Sequence, residues 1–209
     1  MAVAALIVTA TAGIGLMFLG ASPWAVSAPQ PVQITATDRF PPVPSLPADQ
    51  APPIELDRSV PTRIEIADVG LSADVTKVGL ESDGAIEVPD LERPELTGWF
   101  ELGPAPGEAG PAAIVGHVDS RSGGAAVFYA LGGLDAGMHV DVTRSDGTVA
   151  RFTVDLVESY AKREFPYGTV FADTGYPALR LITCGGDFDE RTGSYSHNVV
   201  VYATLTEVR

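Results

Sequence analysis

Cysteine is almost missing from this chain: Cys184 is the only one in 209 residues. A single thiol excludes an internal disulfide, so Cys184 is either buried packing or chemistry. Basic residues are scarce too, with 13 Lys and Arg against 27 Asp and Glu and a formal net charge of -14. Such a charge repels phosphate backbones, so nucleic acid is not an expected partner. Histidine is limited to His117, His139 and His197, which are dispersed and form no close ligand pair. One cysteine and three scattered imidazoles fall short of zinc-site spacing, and no calcium cluster stands out, so no metal or other cofactor is expected. A phosphate loop is missing as well, because "GLESDG" lacks the Lys-Ser/Thr that would complete one.

Charge is missing altogether from Met1 to Ala21, an apolar run long enough for a membrane-spanning helix. A cleaved signal peptide is the less favoured reading, because no basic residue precedes the run and "AVSA" (Ala25 to Ala28) is followed by Pro29. The expectation is an N-terminal anchor over 1–21 with the remainder exported. From Ser22 to Thr62 the chain carries 10 of its 17 prolines and no sustained apolar period, which fits an extended spacer and not a core. The expected organisation is therefore an anchor or signal segment at 1–21, a Pro-rich linker at 22–59 and one folded domain at 60–209.

Long amphipathic helices are the remaining absence. The domain instead shows short β-branched runs, "PTRIEI", "AAIVGHV", "HVDVTR", "VARFTVDLVESY", "LRLITC" and "NVVVYATLTEV", separated by "SDG", "GG" and X-Pro turn signals. These predict an all-β barrel or sandwich. Only "AAVFYALGGL" and "PYGTVFADTGY" have room for short helical turns.

A cysteine side chain has a pKa near 8.5, so only a few per cent is thiolate at neutral pH unless an imidazole or guanidinium helps. His117 ends an apolar strand-like run after a glycine, where a side chain is presented at a strand end. His139 reads as a strand surface position, and His197, ahead of the last strand, is ambiguous. Arg191, seven residues after Cys184, falls in a loop able to fold back over the thiol. Arg180 shares a strand face with Cys184, and its plainer reading is a salt-bridged surface residue. Asp119 caps a loop or supports the His117 ring.

The stretches "WFELGPAPGEAGPAAIVGHVDS" and "LRLITCGGDFDERTGSYSHNVVVYA" resemble the sortase family, most closely its class F group of actinobacteria. The resemblance spans about Val60 to Val208 and implies an eight-stranded β-barrel with short helical turns. The implied activity is a cysteine transpeptidase that cleaves an LPxTG-like sorting signal between Thr and Gly through a thioacyl enzyme. The acyl group then passes to an amine of a cell-wall precursor or pilin. By the same resemblance Cys184 is the nucleophile and His117 the acid that protonates the departing amine. The usual arginine position holds Asn198 in this chain, which leaves Arg191 for the oxyanion. The loop from Pro166 to Tyr176 is where the family binds the signal, with Tyr167, Val170 and Phe171 as the expected apolar lining. Two other readings stand beside this one: an exported cysteine hydrolase, and a membrane-tethered binding β-domain with a buried structural Cys184.

Overall fold

β-branched and aromatic residues dominate the runs that become strands. The strands are β1 (Pro61–Ile66), β2 (Leu71–Val78), β3 (Thr97–Phe100), β4 (Gly110–Gly116), β5 (His139–Arg144), β6 (Val149–Ala161), β7 (Pro177–Asp189) and β8 (Ser194–Val208). The computed structural model describes residues 28–30, 54–120 and 124–209. The anchor expected over 1–21 and most of the linker expected over 22–59 lie outside the described residues. The eight strands close into a barrel in the order β1-β2-β3-β4-β7-β8-β6-β5. Neighbours are antiparallel except β2 with β3 and β4 with β7, which run parallel. A parallel pair requires a long crossover. The β4–β7 crossover sets the end of β4, where His117 follows, beside the strand that holds Cys184.

Alternation decides what enters the barrel. Ile64 and Ile66 of β1, Trp99 of β3, Ile114 of β4, Phe152 of β6, and Leu179 and Leu181 of β7 all reach its interior. Each large side chain removed from water contributes about 1.5–3 kcal/mol before the entropy of ordering is counted. A second, smaller cluster lies on the outer face of β7 and β8, where Phe165, Val170, Val200 and Tyr202 pack together. β7 is thus covered on both faces, which is why "LRLIT" reads as a continuous run and not as an alternation.

The helical elements are small: 3-10 turns at Ala67–Val69, Leu131–Gly133 and Lys162–Glu164, and a one-turn helix α1 at Tyr167–Val170. The second turn and α1 fall in the two stretches expected to hold helical turns; the other two were not expected. The short β3 was not distinguished in the sequence either. Its Gly98 is there for a close approach, since a Cβ would stand 2.6 Å from a methyl of Val78. Packing against the barrel begins ahead of residue 60. Leu56 N–H donates to Gly107 O at 2.9 Å, and the Arg58 guanidinium lies 5.1 Å above the Trp99 ring.

Candidate active site

β4 and β7 pair in parallel up to Val115 opposite Ile182. One residue further on, the Thr183 hydroxyl donates to Gly116 O at 2.8 Å. The next step brings His117 level with Cys184 on neighbouring strands, whose backbones run about 5 Å apart. Gly116 allows this end of β4 to be covered, because a Cβ there would meet the Phe128 ring at 2.7 Å. The His117 carbonyl accepts from Phe128 N at 2.9 Å, so its backbone is held from the other side as well. The ring is fixed by the loop between β2 and β3: Nε2 lies 2.6 Å from Pro89 O. A carbonyl oxygen only accepts, so Nε2 carries a hydrogen and Nδ1 is the nitrogen left for proton transfer.

Cys184 is partly exposed and faces outward from the barrel with Arg180 and Ile182, while Leu179, Leu181 and Thr183 face inward. The glycines that follow are required by the irregularity in the β7–β8 pairing and by close packing. A Cβ on Gly185 would stand 2.7 Å from Val199, and Gly186 adopts φ 75° with the His197 ring close behind it. Beyond β6, Lys162 reaches back, its Nζ 3.5 Å from Cys184 Sγ and 3.0 Å from Ser194 Oγ. No feature of "SYAKREFP" marked Lys162 in the sequence, because 22 residues separate it from the thiol and two charged neighbours disguise it.

The loop between β6 and β7 is clamped from below by Arg180. This side chain is 2% exposed, donates to Val170 O and Leu179 O at 3.1 Å each, and lies 4.5 Å from the Tyr202 ring centre. It is therefore not the salt-bridged surface residue of the plainer reading; among the described residues it pairs with no carboxylate. Burial pushes its pKa down, while the neighbouring phenols and Asp155 oppose the shift. The three residues expected to line a groove separate. Tyr167 is 64% exposed and its ring stacks on Phe171, with centroids 6.5 Å apart. Val170 is a correction to the expected lining: it is 0% exposed and supports the loop from inside the second cluster.

Asp119, read as a loop residue, accepts from the Tyr195 hydroxyl at 2.6 Å. That bond joins the loop after His117 to β8, and the Tyr195 ring packs against Phe188 at 5.0 Å. Burial first, and then the bond to Asp119, push the Tyr195 phenol well above its ordinary range. Arg191 is the expected site residue that the fold does not bring to the thiol. It sits in the turn joining β7 and β8, 84% exposed, with its guanidinium 3.5 Å from Asp189. Asp189 lies five positions beyond Cys184, at the far end of β7, roughly 15 Å along the strand. Asn198 pairs directly with Cys184 across β7 and β8. His139 is exposed at the start of β5 beside Thr153, and His197 bonds Ser196.

A sortase-domain model matches residues 64–206, well over half of the chain. The chain belongs to the sortase family. It is accordingly a cysteine transpeptidase, and the single thiol beside a strand-end imidazole is the equipment that activity needs. No curated protein matches this sortase in sequence. Solved structures with the same fold include Streptococcus agalactiae sortase C1 in complex with MTSET, with 17% identity and TM-score 0.54 over 73% of this chain and 72% of that one. Listeria monocytogenes sortase A follows with 15% identity and TM-score 0.53, covering 73% of this chain and 90% of that one. Actinomyces oris sortase C-1 shares 20% identity at TM-score 0.52, over 69% and 73% of the two chains. At these identities the likeness is one of fold. Membership of the family sets aside the binding-domain reading, and the partly exposed Cys184 agrees.

Proposed function

We propose that this sortase cleaves an LPxTG-like sorting signal between Thr and Gly and transfers the acyl group to an amine of a cell-wall precursor or pilin. The observation that carries the reading is the placement of Cys184 and His117 at the same level on neighbouring strands. The thiolate attacks the Thr carbonyl carbon, forming the C–S bond. The C–N bond then breaks as His117 Nδ1 delivers its proton to the departing amine. An incoming amine gives a proton back to His117 and displaces the sulfur.

Tyr167 and Phe171 present an aromatic wall next to the thiol's strand, suited to the Leu and Pro of the signal. Arg191 serves the oxyanion in this proposal only if the β7–β8 turn folds back over the bound signal, because its resting partner is Asp189. By its sequence the enzyme is class F-like and works at the outer face of the cell membrane, tethered through residues 1–21. The test is mass spectrometry of the full chain in detergent with an LPxTG peptide, with and without a nucleophilic amine, beside Cys184→Ala, His117→Ala and Arg191→Ala. A thioacyl adduct on Cys184 and amine-dependent ligation are expected. Hydrolysis that an amine does not divert would mark a hydrolase, and intact peptide across a panel of signal variants would overturn the substrate class.

A further inference from the structure

Cys184 pairs with Asn198 across β7 and β8, and Asn198 pairs with Tyr160 across β8 and β6. Directly paired residues project on one face of a sheet, so these three side chains form a lane over the outer surface of the barrel. Lys162, two residues past Tyr160, stands with its Nζ 3.5 Å from the sulfur. It is the one charged side chain among the described residues that bonds to Sγ.

What Lys162 avoids is equally informative. Acids outnumber bases 27 to 13 in this chain. Arg58, Lys77, Arg144, Arg151 and Arg191 each hold a carboxylate. Lys162 holds none among the described residues, and its second partner is the neutral hydroxyl of Ser194 at 3.0 Å. That hydroxyl points its own hydrogen at Tyr195 O, 3.3 Å away, which turns a lone pair toward the ammonium. Lys162 is thus a partly buried cation whose partners among the described residues are a thiol and a neutral hydroxyl.

We propose that Lys162 is a catalytic residue whose ammonium group holds the Cys184 sulfur as the thiolate, with Ser194 positioning it. This rests on Cys184 being the nucleophile. Before attack, the thiolate and the ammonium form an ion pair. When the sulfur bonds to the signal's carbonyl carbon and His117 protonates the departing amine, the sulfur becomes a neutral thioester and Lys162 keeps its proton. When the acceptor amine attacks the thioester and returns a proton to His117, the thiolate re-forms against the same ammonium. The lysine neither gains nor loses a proton through the cycle.

The test is the rate at which iodoacetamide, a neutral reagent, alkylates Cys184 at pH 7 in the full chain, followed by intact mass. Lys162→Met keeps the length and removes the charge, and is expected to slow alkylation about tenfold and peptide cleavage at least as much, with an unchanged thermal midpoint. Lys162→Arg is expected to retain most of both rates. Alkylation of Lys162→Met at the wild-type rate overturns the proposal. If that variant does not fold, Ser194→Ala decides: a roughly threefold slowing supports the role and an unaltered rate refutes it. Cys184→Ala separates this inference from the one beneath it. Cleavage that survives in Cys184→Ala refutes the nucleophile itself, whereas cleavage that needs Cys184 and ignores Lys162 refutes only the lysine.

Discussion

Thr183 donates its hydroxyl hydrogen to the carbonyl of Gly116 at 2.8 Å, and each directly precedes a residue of the proposed catalytic pair, Cys184 in one case and His117 in the other. The bond sits where the β4–β7 ladder ends and fixes how far His117 stands along the sheet relative to the sulfur. Thr183 itself faces inward and is 5% exposed, so water does not compete for this contact. Thr183→Val keeps the shape and removes the donor. It should cost about 1–2 kcal/mol in urea unfolding, and kcat/KM for peptide cleavage should fall about tenfold as the two groups lose their spacing. Unchanged kinetics with a lowered stability would mean that the ladder alone sets the spacing.

Arg180 holds the β6–β7 loop, the proposed signal-binding loop, through Val170 O, and its buried guanidinium is neutralised by no carboxylate among the described residues. Arg180→Met retains the bulk over Tyr202 and releases the loop. The expected outcome is a rise of about tenfold in KM for the sorting peptide with a smaller change in kcat, since Tyr167 and Phe171 are carried by that loop and the thiol is not. Steady-state kinetics check this; a kcat loss at constant KM would place the role of Arg180 at the chemistry instead.

Tyr195 anchors the loop that follows His117 through Asp119. Tyr195→Phe keeps the ring against Phe188 and removes the anchor, and should lower kcat about fivefold with a stability loss of about 1 kcal/mol. Asp119→Asn keeps an acceptor oxygen for the phenol and should stay near the wild-type rate. A loss in Asp119→Asn with Tyr195→Phe at the wild-type rate would indicate that the carboxylate charge, and not the hydrogen bond, is what matters.

Four tyrosines around the site, Tyr160, Tyr176, Tyr195 and Tyr202, have phenols raised above their ordinary value chiefly by burial. A raised folded-state pKa means that the native state holds its proton more tightly than the unfolded chain. The stability it contributes is complete below the unfolded tyrosine value of about 10 and is lost as pH rises beyond it. Denaturant midpoints should therefore hold below pH 9 and fall steeply above pH 10. Phenolate absorbance at 295 nm should rise together with unfolding; phenolate appearing well before unfolding would show these rings to be accessible.

The sequence by itself determined the strand runs and the turns, and it marked Cys184 and His117 as the two candidate reacting residues. A lone cysteine after "LIT" and a histidine after "IVG" are local signals, because strand ends present side chains and a chain without a second cysteine cannot use one as a staple. Side-chain parity along β7 also placed Arg180, Ile182 and Cys184 on one face. Only the tertiary structure decided what covers that face. It buried Arg180 and Val170 under the β6–β7 loop, left Arg191 at an exposed turn beside Asp189, and brought Lys162 to the sulfur. Each of these depends on which strands are neighbours, and the order β4-β7-β8-β6 follows from closing a barrel around one core. Spacing along the chain does not encode that order. The physical reason is that a strand's own pattern fixes its faces, whereas the partner across a sheet is chosen by the packing of every other strand.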